Sequence, residues 1–170
     1  EALKQIKAPL GVYAITGNHE YIGGAERACK YLSDHGIIML RDSVAMIDNR
    51  FYLVGREDRS KGGFSGTPRK KIKEIMAPVD KNYPIIMLDH QPFNLEEVSD
   101  NGMDLQISGH THHGQIWPLN YITEKVYEIS WGYRLKGSTN FYVSCGVGTW
   151  GPPVRVGNRP EIVNIRLSFD

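Results

Sequence analysis

Cysteine is nearly absent: Cys29 and Cys145 are the only two in 170 residues. That excludes a disulfide-dense scaffold and a four-cysteine zinc site. Both are expected to be buried free thiols, with a single disulfide between them as the competing reading, since sequence does not give their separation. An excess of one charge is missing too. Twenty Lys and Arg stand against 19 Asp and Glu, a formal charge of +1, which removes any electrostatic case for nucleic acid and for membrane binding by charge alone. No apolar run approaches the roughly 20 residues of a transmembrane helix, and the first residues lack the basic-then-apolar order of a signal peptide. The 170 residues are therefore expected to be soluble. Repeats and low-complexity segments are also lacking.

What is present suffices for one domain with a proper core. Residues 1–7 resemble the end of an amphipathic helix, and the chain opens on Glu1 rather than Met, as expected of a portion of a longer protein. Gly11-Val12-Tyr13-Ala14-Ile15-Thr16 is a short apolar run bounded by Pro and Gly, which reads as a buried strand. A helix is predicted over 25–35, where Ala28, Tyr31 and Leu32 share a face and Gly36 stops it. His35 then lies in its last turn, where an imidazole favours the negative end of the dipole.

Further strands are predicted over 37–40, 44–47, 51–54 and 84–88. The middle two form a hairpin around Asp48-Asn49-Arg50. Residues 57–67 read as a mobile loop opening a helix at Pro68 that runs to about Ala77, and 95–101 as a short helix. A strand over 103–108, another over 141–144, and an alternating, half-exposed edge strand over 161–167 complete the pattern. This alternation indicates an α/β or α+β sandwich with two mixed sheets flanked by helices.

Chemistry concentrates at strand ends. Gly109-His110-Thr111-His112-His113-Gly114-Gln115 places three imidazoles within four positions, directly after a predicted strand. In extended backbone His110 and His112 would point the same way and could converge on one centre or on two adjacent ones. Neutral imidazole is the commonest biological metal ligand. Two other predicted strands also end in histidine-bearing turns, at Asn18-His19 and at His90. Such convergence suits a metal centre, because strands hold the spacing that metal bonds of about 2.0–2.1 Å demand.

Gly17-Asn18-His19-Glu20, the isolated His90 and Gly109-His110-Thr111-His112 resemble the last three motifs of calcineurin-like metallophosphoesterases. Tyr21, Gly114-Gln115-Ile116, the 146–148 turn, Arg155 and Pro160-Glu161-Ile162 extend the likeness over nearly the whole chain. These features point toward a bacterial phosphodiesterase-like sub-family that includes membrane-lipid and UDP-diacylglucosamine hydrolases. The resemblance implies that Asn18, His90 and His110 hold one divalent metal and that His112 contributes to a second, the ions being Mn, Zn or Fe. It implies that His19 is catalytic, facing the scissile phosphate to stabilise its charge or protonate the leaving oxygen, as suits an imidazole. Water activated between two metals would attack phosphorus in line, so no protein nucleophile is needed. The implied partner is a phosphoester-containing small molecule or lipid.

The family pattern opens with Asp-x-His and Gly-Asp motifs, and neither occurs in these residues. Residues 1–170 are therefore expected to be the C-terminal portion of a single, incomplete metallophosphoesterase domain. Such a portion would keep one metal, hydrolyse diesters poorly by itself and self-associate through uncovered surface. By resemblance, the longer protein would be membrane-anchored or exported, and otherwise cytoplasmic. A non-catalytic metal-binding or scaffold domain retaining half of the site is the alternative. Metallo-β-lactamase-like hydrolases are set aside because Gly114 stands where their Asp would be, and cupins because the helical segments contradict an all-β roll.

Other residues carry two readings each. Glu20 either orients a ligand or starts a helical turn, while structural or loop roles are preferred for Asp89 and His113. Trp117, Trp131 and Trp150 pack or form an apolar lip, and Arg155 binds a distal phosphate or pairs with Glu161.

Overall fold

The computed structural model describes residues 2–168. The backbone falls into two compact units, residues 1–90 and 91–170.

In the first unit β1 (Tyr13–Ala14) pairs in parallel with β2 (Ile38–Met39). Between them run α1 (Asn18–Gly23) and α2 (Ala25–Asp34). The predicted last-turn histidine caps α2: His35 Nδ1 lies 2.7 Å from Tyr31 O, and the two rings meet tilted, with centroids 4.3 Å apart. β3 (Ser43–Ile47) and β4 (Phe51–Gly55) form the expected antiparallel hairpin, and β4 pairs in parallel with β5 (Ile85–Leu88). Val54, Ile85 and Met87 are buried on these strands, with Ile72 and Ile75 of α4 (Ile72–Ile75). Gly55 is required by close approach: a Cβ there would collide with Leu40 Cβ.

The second unit sets α5 (Leu95–Asp100), with Leu95 and Val98 buried, before β6 (Leu105–Ser108). β6 pairs in parallel with β8 (Thr139–Val143), whose other edge takes β7 (Gly132–Lys136) antiparallel. α6 (Asn120–Val126) lies between the histidine loop and β7. Mixed strand sets with helices in both units give the α/β class read from the sequence.

Four local expectations are corrected. Residues 3–5 make only a 3-10 turn with no buried side chain, and one turn without a packed face does not sustain a helix. The 57–67 stretch is tied down rather than loose: it contains α3 (Lys61–Ser65), and Asp58 N donates to Thr16 Oγ1 at 3.1 Å. No helix starts at Pro68, because the backbone runs non-helically to Lys71 while Lys70 N donates to the Asp42 carboxylate at 2.8 Å. The alternating run 161–167 forms no strand. β6 and β7 already occupy both sides of β8, and the run pairs with no described strand, so its alternation gives no ladder. α6 and β7 were not anticipated. Both cysteines are buried free thiols, as expected.

Candidate metal centre

At the end of β1 the chain turns through Gly17 into α1. Glu20 Oε2 accepts from Gly17 N at 2.7 Å, which satisfies a helix-terminal donor and settles Glu20 as the start of the helical turn. Gly17 is needed for space: a Cβ there would lie 3.0 Å from His90 Nε2 and 3.1 Å from Glu20 Oε2. Asn18 Oδ1 and His90 Nε2, 72 positions apart in sequence, meet at 3.0 Å. His19, one step on, is exposed and takes no hydrogen bond, ion pair or ring contact among the described residues.

Two buried carboxylates fix this turn and the β5 end. Glu57 Oε2 accepts from Thr16 Oγ1 at 2.7 Å and Tyr21 Oη at 2.6 Å, bracketing Asn18-His19 from both sides. Its Oε1 accepts from Arg41 Nε at 2.8 Å. Burial works to raise the Glu57 carboxyl, but the Tyr21 and Thr16 hydroxyls and the Arg41 and Lys61 charges outweigh it and hold the group below the usual range. Burial and the Glu57 bond push the Tyr21 phenol upward. Asp89, directly before His90 and wholly buried, accepts from Arg69 at 2.9 Å and Arg56 at 3.2 Å. Its role is therefore structural, as expected.

The loop after β6 departs from the extended backbone expected of it. His110, His112, His113 and Gln115 have φ of 69°, 48°, 47° and 55°, and His112–Gly114 is a 3-10 turn. The inference that His110 and His112 share a direction through extended geometry thus fails. Left-handed backbone costs a non-glycine residue roughly 1–2 kcal/mol, and such residues persist only where their surroundings over-determine them.

Here the surroundings do so. Thr111 Oγ1 donates to Ser130 O at 2.6 Å and accepts from His113 N at 3.1 Å. His113 Nδ1 lies 3.1 Å from Ser130 Oγ, and its ring packs on Trp131 with centroids 5.3 Å apart. Asn158 Nδ2 donates to both His112 O and His113 O at 3.0 Å, while its Oδ1 accepts from Arg155 Nη1 at 3.0 Å. Gln115, 1% exposed, donates through Nε2 to Trp150 O and Pro152 O and accepts from Trp150 N at 2.8 Å.

The ring faces are held as well. Arg155 Nη2 lies 3.3 Å from His112 Nδ1 and donates to Cys145 O, Gly146 O and Gly148 O. The His110 ring meets Tyr127 edge-on, with centroids 6.1 Å apart. Arg155 therefore shapes the loop and does not pair with Glu161, which accepts instead from Cys145 N and Trp131 Nε1.

The structure thus joins Asn18 to His90 in one unit and sets His110 and His112 on one clamped loop in the other. Among the described residues no three His, Cys, Asp or Glu side chains gather as a metal-ligand set. The Asn18–His90 pair nevertheless has the right chemistry: an amide oxygen and an imidazole nitrogen 3.0 Å apart. Two ligands at about 2.1 Å and right angles on one ion stand about 3.0 Å apart. Asn158 and Glu57 escaped the sequence reading because their partners lie 45–46 and 36–41 positions away, respectively, and the partners that hold Gln115 lie 35–37 positions beyond it.

Residues 1–114 match the family model for the calcineurin-like phosphoesterase. An uncharacterized metallophosphoesterase of Aquifex aeolicus is 30% identical over 169 residues, covering 98% of this chain and 64% of that protein. The uncharacterized metallophosphoesterase YkoQ of Bacillus subtilis is 31% identical, covering 95% and 62%. A Danio rerio protein named transmembrane protein with metallophosphoesterase domain is 32% identical, covering 98% and 41%. The chain therefore spans less than two thirds of the length of these relatives. No solved structure matches it.

Proposed function

Because the chain belongs to the calcineurin-like phosphoesterase family, we propose that it carries part of the active site of a metal-dependent phosphoester hydrolase acting on a phosphodiester or pyrophosphate. The observation that supports this most is the meeting of Asn18 and His90 at 3.0 Å over a glycine that leaves the His90 ring its room. In this reading Asn18, His90 and His110 hold one divalent ion and His112 contributes to the second. The metals, when bound, supply Lewis acidity and lower the pKa of water to near neutrality. His19 binds the phosphate charge and donates a proton to the leaving oxygen, work for which an imidazole free of other partners is suited.

The Asp-x-His and Gly-Asp ligands that complete the family's two-metal centre are not among these 170 residues. On this reading they come from further chain, and the isolated 170 residues hydrolyse diesters weakly. The substrate is a phosphoester-containing small molecule or lipid. No helix of the described residues is long and apolar enough to cross a membrane, and anchoring of the longer protein, as the name of the zebrafish relative suggests for that protein, belongs to the proposal.

The test is metal stoichiometry alongside turnover. The chain is loaded with manganese or zinc, desalted, and its ions counted by elemental analysis. About one ion, lost in His110→Ala, is expected. In the longer protein His19→Ala should depress turnover far more than metal content. Two tightly held ions in the 170 residues would overturn the assignment of missing ligands. Full metal with no turnover in the longer protein would favour the non-catalytic alternative.

A further inference from the structure

The first unit carries a groove that the reading above does not use. It has a volume of about 460 Å³ and is lined by His19, Glu20, Gly23, Arg27, Ala28 and Tyr31. Its lining is mostly apolar and includes the small residues Gly23 and Ala28, and Gly23 faces open space. On α2, Arg27 and Tyr31 are four positions apart and so lie on one face. Glu20 is engaged with Gly17 N and aims an oxygen there.

Arg27 is underused. Its one hydrogen bond among the described residues is a long one, 3.4 Å from Nη2 to Gly23 O, and no carboxylate pairs with it. A guanidinium offers five N–H donors in a planar fork that matches an anionic oxygen pair. Tyr31 is 51% exposed, yet its ring is braced by the His35 imidazole in a tilted contact, itself bound to Tyr31 O at 2.7 Å. A pre-set aromatic face loses little rotamer freedom on binding. The groove therefore presents a ring braced by His35, a mostly apolar lining and a guanidinium with no carboxylate partner among the described residues, and His19 lines it.

We propose that this groove is the subsite for the leaving group of the phosphoester, and that it selects a leaving group with an apolar or aromatic body carrying an anionic substituent, bound by Tyr31 and Arg27 respectively. This rests on the assignment of His19 to the leaving oxygen, because the group departing from phosphorus must lie on the side of the residue that protonates it. The chemistry is P–O cleavage: water adds its oxygen to phosphorus and gives up a proton to solvent, while the ester oxygen leaves with the bonding pair and takes a proton from protonated His19, which solvent reprotonates. Arg27 and Tyr31 contribute binding and orientation only.

The experiment compares two chromogenic diesters on the metal-loaded longer protein, methyl 4-nitrophenyl phosphate and its analogue with a carboxylate on the nitrophenyl ring. Arg27→Ala should lower kcat/KM for the carboxylated diester about three- to tenfold, mainly through KM, and that for the plain diester by clearly less. Arg27→Lys should restore part of the loss, and Tyr31→Ala should weaken both diesters. Equal kcat/KM changes for the two diesters in Arg27→Ala would overturn the subsite. A second arm titrates the product 5-hydroxy-2-nitrobenzoate into the 15N-labelled protein. Shifts at Gly23, Arg27 and Tyr31 that vanish in Arg27→Ala support the groove even if no diester is hydrolysed, in which case the hydrolase reading fails alone. Hydrolysis without such shifts or discrimination sinks the subsite and leaves the hydrolase standing.

Discussion

Replacing Glu57 by Gln should destabilise the first unit in a way that depends on pH. The Glu57 side chain, 3% exposed, accepts the Thr16 and Tyr21 hydroxyls and the Arg41 guanidinium at 2.6–2.8 Å, with Lys61 Nζ at 3.5 Å. A hydrogen bond to a charged acceptor contributes about 1.5–3 kcal/mol and a neutral one about 0.5–1.5. Neutralising the acceptor therefore removes roughly 1 kcal/mol from each hydroxyl and somewhat more from Arg41, a total of about 2–4 kcal/mol at pH 7.

The sign follows from the depressed carboxyl. Its stabilisation is complete above the ordinary glutamate value of about 4.3 and disappears as pH falls through the lower folded value. Urea unfolding followed by far-ultraviolet circular dichroism should show Glu57→Gln with a midpoint about 1–2 M lower at neutral pH, for a slope of about 2 kcal/mol per molar urea. The gap should narrow at pH 3. Other carboxylates titrate alike in both proteins and cancel in the difference. An equal gap at both pH values would refute the charge argument and leave only altered packing.

Two further perturbations address the site itself. Gly17→Ala places a methyl 3.0 Å from the His90 ring, so it should displace that imidazole from Asn18 and lower metal content by more than its cost in thermal midpoint. Elemental analysis beside a melting curve checks this. Asn158→Ala withdraws both hydrogen bonds from the His112 and His113 carbonyls, at about 1–3 kcal/mol if the carbonyls stay dry. Amide exchange should quicken at His113–Gln115 and not in β5.

The legible parts of the fold were those fixed by neighbours in sequence. The β3–β4 hairpin, the α2 face ending at Gly36, and β5 and β6 before their histidines all announce themselves through local period and turn chemistry. β7 did not, because Tyr133, Arg134 and Leu135 are all exposed and no buried face alternates with a solvent face; pairing with β8 makes it a strand. The run 161–167 misled for the opposite reason, having the pattern but pairing with no strand. In the candidate site, the histidines at strand ends could be seen in the sequence, while Asn18 was singled out only by the family resemblance of its motif. The left-handed path of 110–115 could not be seen there, since Asn158, Arg155 and the Trp150 and Pro152 backbone groups that hold Gln115 enforce it from outside the motif.

That clamp also sets an order of events during synthesis. His112 and Asn158 are 46 residues apart, an interval of roughly 2–9 s at typical elongation rates of about 5–20 residues per second. Until residues 150–158 have left the ribosome, the histidine loop lacks the partners that hold its backbone left-handed, and it samples ordinary turns. The nascent chain therefore presents its imidazoles as a loose set before it presents them as a shaped one. A ribosome stalled before Asn158 would display the motif without the geometry, so whatever chemistry the shaped loop performs waits on completion of this stretch.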